Sequence, residues 1–146
     1  MNDPFQLRRF VAAQAPVIDT VLGELRAGRK RSHWMWFIFP QWANLGSSEM
    51  SRRYAIASIG EAEAYLAHPL LGARLRECSQ RVLDVQGRTV GEIFGAPDDQ
   101  KFWSSMTLFA LVDATPGVFR ECLDTCFAGA LDRRSADLVE AARRRR

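Results

Sequence analysis

The stretch from Phe102 to Val112 constrains the fold most: Phe102, Trp103, Met106, Phe109, Ala110 and Val112 place apolar side chains on nearly every side of one helix. A helix apolar all round must be enclosed by other elements, because no orientation leaves it a polar face for water. Its limits are marked in the sequence. Pro97-Asp98-Asp99 supplies a proline start with acidic residues in the first turn, and Pro116-Gly117 lies beyond its end. The chain must therefore wrap a central helix with its remaining segments.

Those segments read as helices too. Asp3-Pro4 predicts an N-cap and first helical residue, followed by Phe5, Leu7, Phe10 and Val11 at helical spacing to about Ala13. Pro16 reopens a helix whose stripe of Val17, Ile18, Val21, Leu22 and Leu25 ends at Gly28. The run Trp34 to Phe39 has strand length, but no alternating partner strand exists, so a short helix or turn is expected. Ser48 caps a helix from Glu49 carrying Tyr54, Ile56 and Ile59, and Gly60 separates it from a helix over 61–67. After His68-Pro69, Leu70, Leu71, Leu75, Cys78, Val82, Leu83 and Val85 form a long amphipathic helix. Thr89 caps a turn ended by Gly95, a further helix spans Val118 to Phe127, and Ser135 caps a last one. The expectation is an all-α, mainly helical single domain over 1–140, with about seven to nine helices.

With 146 residues, 47% hydrophobic and 25% charged, the chain can bury a core without disulfides or metal. The net charge of +3 is a property of the C-terminus. Removing Arg143, Arg144, Arg145 and Arg146 from the 20 basic residues leaves 16 against 17 acidic ones. That balance gives no specific nucleic-acid partner, and 141–146 is expected to be a disordered arginine-rich tail. No apolar span suggests a membrane, and no basic start with an apolar run suggests secretion. Cys78, Cys122 and Cys126 cannot all pair internally, so a cytoplasmic location is expected. Cys122 and Cys126 share a helix face, yet Phe119, Leu123 and Phe127 around them argue for packed thiols over metal ligands. No metal and no cofactor is implied.

Candidate chemistry concentrates in two places. Gly28 to Trp42 holds three bases, one histidine and three tryptophans, a density suited to an anionic or aromatic ligand. Arg29, Lys30 and Arg31 also follow a helix C-terminus, where the carbonyl dipole favours cations. On the central helix Lys101, Ser104 and Ser105 share a face; the serines either serve a site or bond back to carbonyls one turn earlier. Asp98 and Lys101 fit an exposed ion pair. Trp34 and Trp36 point to different sides, so one packs in the core. His68 before Pro69 fits a capping or packing role. Glycine-rich nucleotide loops, a G-x-S-x-G elbow and H-E-x-x-H are absent.

The blocks Arg9-Phe10-Val11-x-Ala13-Gln14, Gly28 to Gln41, His68-Pro69-Leu70-Leu71-Gly72-x-Arg74-Leu75, Ile93-Phe94-Gly95 and Asp98-x-x-Lys101-x-x-Ser104-Ser105-Met106-Thr107-Leu108-Phe109 resemble the DUF1810 family across nearly the whole chain. Asn44-Leu45-Gly46 departs from a Gly-Leu-Gly common there. The resemblance implies a compact helical domain of the Rv1873-like fold and no established activity. The label calpastatin carried by some members finds no support in so apolar a chain.

These residues support one cleft between the segment Arg29 to Gln41 and the central helix. Arg29, Lys30 and Lys101 would hold an anion, Trp34 or Trp36 would stack on a ring, and Gln41 and Ser105 would orient it, with Ser104 on the same half of the pocket as Lys101 and Ser105. His33 would be the candidate acid or base, with a Ser104 or Ser105 hydroxyl as a conceivable partner. A nucleotide-like or phosphorylated ligand fits. The competing readings are a non-catalytic protein-protein interaction module using the tryptophans and arginines, and non-specific nucleic-acid binding through the basic segments.

Overall fold

The computed structural model describes residues 2–146 and contains ten helices among them. In chain order they are α1 (Arg8–Gln14), α2 (Ile18–Arg26), α3 (Met35–Ile38), α4 (Glu49–Arg53), α5 (Ile59–Ala67), α6 (Leu71–Asp84), α7 (Val90–Phe94), α8 (Asp98–Val112), α9 (Val118–Phe127) and α10 (Arg133–Arg144). Extended pairing among the described residues is limited to one isolated parallel bridge, Trp42 with Ile56.

Helix α8 is central, as its composition requires. It packs against α3, α5, α7, α9 and α10, and Phe102 and every residue from Ser104 to Phe109 are buried. Phe102 meets Phe39 edge-on at 5.0 Å and stacks on Phe94 at 4.9 Å, while Phe109 lies 5.5 Å from Tyr65 and 5.7 Å from Phe119. Each such buried ring contributes about 1.5–3 kcal/mol relative to exposure, so this helix joins the clusters on both sides of the core. The second layer is α2, α6 and α9, where burial pushes the Cys78 thiol up to about 12 and also raises the Cys122 and Cys126 thiols. Cys78 and Cys122 are packed in the core and Cys126 is half-buried, and among the described residues no group of three or more His, Cys, Asp or Glu could hold a metal.

Several boundaries differ from the sequence reading for local reasons. The Asp3 carboxylate accepts from the Leu7 and Arg8 amides at 2.8 and 3.2 Å, but Gln6 is left-handed at φ 53°, so regular helix starts only at Arg8. Helix α4 stops at Arg53 because Ile56 is drawn into the bridge, its amide donating to the Gln41 carbonyl at 2.9 Å. Ser58, rather than Gly60, then starts α5, accepting the Glu61 amide at 3.0 Å. Ser135 lies inside α10, whose N-cap position is Asp132. Residues 141–144, expected in a disordered tail, form the last turn of α10, and Arg146 reaches Glu63 at 2.9 Å.

Other signals match the structure directly. Gly28 (φ 73°) ends α2 with the Arg29 amide bonded back to the Glu24 carbonyl. Thr89 and Glu92 form a reciprocal capping box at α7. His68 Nδ1 accepts from the Leu70 and Leu71 amides, both at 3.1 Å, and so caps α6.

Buried polar groups lock the N-terminal helix in place. Arg9 donates to the carbonyls of Phe5, Gln6, Arg53 and Ala55 and to Glu61 Oε2, at 2.7–3.1 Å. Gln14, 1% exposed, donates to the Phe37 carbonyl at 2.7 Å and to the Tyr65 hydroxyl at 3.1 Å.

Candidate functional site

The basic, aromatic segment is organised by a residue that the sequence does not single out. Glu24, in the last turns of α2, accepts from the Arg31 amide (2.8 Å), the Ser32 amide (3.2 Å) and hydroxyl (2.6 Å), and Trp34 Nε1 (2.9 Å). Partial burial works against its charge, but these donors outweigh it and hold the carboxyl at about 2. The segment therefore turns sharply after α2. Trp34 enters the core at 1% exposure against Phe39 and Phe94.

Lys30 is captured on the opposite side of that turn. Its amide donates to the Ile93 carbonyl at 2.7 Å and its ammonium lies 2.8 Å from Asp98 Oδ2 and 5.1 Å from the Trp34 ring. Asp98 simultaneously holds Lys101 at 3.2 Å. Burial opposes ionisation of Asp98, yet the two ammoniums hold its carboxyl below the usual range. The expected exposed Asp98–Lys101 pair is thus a half-buried cluster of three, tying the loop after α2 to the start of α8.

One cavity of about 280 Å³ opens beside this cluster. Trp36, Gln41, Lys101 and Ser104 line it with Trp103, Asp132 and Arg134. The Lys101 ammonium sits 3.8 Å from the centre of the Trp36 ring, a cation–π geometry. Gln41 Nε2 donates to the Lys101 carbonyl at 3.4 Å, and Ser104 Oγ donates to Asp132 Oδ2 at 2.7 Å. Asp132 Oδ2 also accepts from Ser135 Oγ at 2.7 Å, while the Asp132 amide donates to Thr107 Oγ1 at 3.0 Å. Trp103 is oriented by its Nε1–H, which donates to the Ala130 carbonyl at 2.8 Å.

The remaining sequence candidates lie elsewhere. Trp34 belongs to the core, and of that pair it is Trp36 that lines the cavity. Lys30 has 8% side-chain exposure, is paired with Asp98 and does not line the cavity. Ser105 is fully buried, and its hydroxyl has no hydrogen-bond partner among the described residues. Arg29 and His33 are exposed and line neither this cavity nor the larger cleft beside α1. The conceivable serine–histidine pair is not formed: the Ser104 hydroxyl is committed to Asp132.

Asp132 and Trp103 carried recoverable signals. Asp132 stands immediately before a helix start, where aspartate is a favoured cap, and Trp103 precedes Ser104 on the central helix. Arg134 is visible only as one basic residue among many until α10 folds beside α8.

The fold and this cavity describe a single-domain, all-α protein built round α8. The chain matches, over residues 4–139, the family described as "Protein of unknown function (DUF1810)", and it belongs to that family. It is similar to the crystal structure of the conserved hypothetical protein Rv1873 from Mycobacterium tuberculosis, with 56% identity and a TM-score of 0.93 over 94% of this chain and 99% of that one. No curated protein matches the chain.

Proposed function

We propose that the protein binds a small anionic ligand bearing a planar ring, such as a nucleotide-like or phosphorylated metabolite, in the cavity between α3 and α8. The observation that carries this reading is convergence: Trp36 and Gln41 from one segment and Lys101 and Ser104 from another, at least 60 positions further along the chain, line one concavity. An aromatic wall with a few fixed polar groups is the usual composition of a ligand site. Lys101 and Arg134 outnumber Asp132 on the cavity wall, leaving excess positive charge for an anion. In this reading Lys101 attracts the anion, Trp36 supports the ring, and Gln41 and Ser104 orient polar groups. The three free thiols suit a reducing cytoplasm.

A protein-docking role draws less support, because Met50 and Leu70 are the exposed large hydrophobic residues, at 38% and 37%, and Trp34 and Trp42 are buried. No described helix is long and apolar enough to cross a membrane. The test is a thermal-shift screen of nucleotides and phosphorylated metabolites against the wild type and Lys101→Ala. A ligand at 100 times its Kd should stabilise the wild type by about 2.7 kcal/mol and the variant much less. Equal stabilisation of both proteins removes Lys101 from the site.

A further inference from the structure

The small cavity does not stand alone. Gly46 lines both it and a larger cleft of about 800 Å³ beside α1 and α4. A Cβ built on Gly46 would lie 3.8 Å from Cη2 of Trp36, which lines the smaller cavity, and 3.0 Å from Cβ of Ser51, which lines the larger cleft. Gly46, which carries no side chain, thus borders both spaces. Alone, the smaller one falls just below the roughly 300–1,000 Å³ of typical ligand sites. It accommodates a ring more readily than a ring with an extended anionic chain.

The charge of the larger cleft is one-sided. Arg9 and Glu61 on its wall neutralise each other at 2.8 Å, Arg9 spends its other donors on carbonyls, and Glu61 Oε1 takes the Ala57 amide at 3.0 Å. Arg52 and Arg53 also line it, and neither forms a salt bridge among the described residues. Arg52 donates to the Ser47 carbonyl, and the Arg53 guanidinium lies 5.8 Å from the Tyr54 ring centre. Both side chains are exposed, so their unused donors face water and can reach an anion.

We propose that the ligand is bipartite: a planar ring occupies the small cavity at Trp36, and a polyanionic arm crosses Gly46 to end at Arg52 and Arg53. This rests on the ring-and-anion reading above and specifies its class as a nucleoside polyphosphate. Lys101 serves the part of the ligand nearest the ring, while the arginines of α4 read the length of the arm.

Calorimetric titration of the full chain with AMP, ADP and ATP at fixed ionic strength tests it. The wild type should bind ATP about tenfold or more tighter than AMP, the worth of one charge-assisted hydrogen bond. The R52A/R53A double variant should lose that advantage and keep its AMP affinity within about twofold. Arg53→Ala alone, which removes no hydrogen bond made by that side chain within the protein, should show part of the same loss and guards against misfolding of the double variant. If AMP binds in a Lys101-dependent way but ATP binds no better, or if the variants weaken AMP and ATP alike, the bipartite ligand is refuted and the small-cavity reading stands. If none of the three nucleotides binds, the polyphosphate class and the nucleotide form of the earlier reading are both overturned.

Discussion

Glu24→Gln tests the idea that one carboxylate, rather than the density of aromatic residues, shapes the segment from Arg29 to Trp34. The substitution keeps the size of the side chain and one carbonyl oxygen, so the amides of Arg31 and Ser32 and Trp34 Nε1 can retain an acceptor in place of Oε1. It removes the charge that strengthens those bonds. A carboxyl held at about 2 against an ordinary 4.5 corresponds to roughly 3 kcal/mol of linkage. Glu24 is only partly buried, so solvent screening reduces the expected loss to about 1–2 kcal/mol. At roughly 2–4 °C per kcal/mol for a chain of this size, Tm should fall by about 2–8 °C at pH 7.

The pH dependence gives a sharper measurement. Because the folded carboxyl titrates below the unfolded one, its contribution is complete above about 4.5 and is lost as pH falls towards 2. Urea unfolding of both proteins from pH 7 to pH 3 should therefore show the wild-type advantage shrinking below about pH 4.5. Equal stability at pH 7, or an advantage that persists undiminished at pH 3, refutes the assignment of charge-assisted bonding to Glu24.

Two further substitutions probe packing. Gly72→Ala places a Cβ 2.2 Å from the Leu66 carbonyl oxygen, where α6 crosses the end of α5; thermal melts should show a loss of about 1–3 kcal/mol or more, and a neutral result would mean that the two helices are not so closely apposed. Ser105→Ala removes a buried hydroxyl with no partner among the described residues, so chemical denaturation should show a change below about 0.5 kcal/mol or a gain; a loss above about 1 kcal/mol would reveal a bond to that hydroxyl.

The sequence was most informative where a local pattern answers a local need. Ser48 and Thr89 cap helices because their oxygens satisfy orphan amides within the next turn, and Gly28 ends α2 because its left-handed backbone needs no distant partner. His68 could be placed as a cap for the same reason. Elsewhere long-range pairing overrode the local pattern. Ile56 left the helix expected to carry it once its amide found the Gln41 carbonyl, and Arg143 and Arg144 extend α10, which packs on α8 and α5.

The candidate site divides along the same line. Helical spacing alone places Lys101, Ser104 and Ser105 within one turn, but it cannot say that Asp132 will take Ser104 while Ser105 is left in the core. Composition alone marks Arg29 to Trp42 as unusual. Glu24 and Asp98 decide which members remain available, because hydrogen bonds and charge pairs depend on distance in space and hold Trp34 and Lys30 inside the fold. By itself, then, the sequence determined an all-α chain wrapped round an apolar helix, since helix period and capping act within a few residues. That Trp36 and Gln41 meet Lys101 and Ser104 across one cavity follows instead from how α3, α8 and the Asp132 turn pack, which no local pattern encodes.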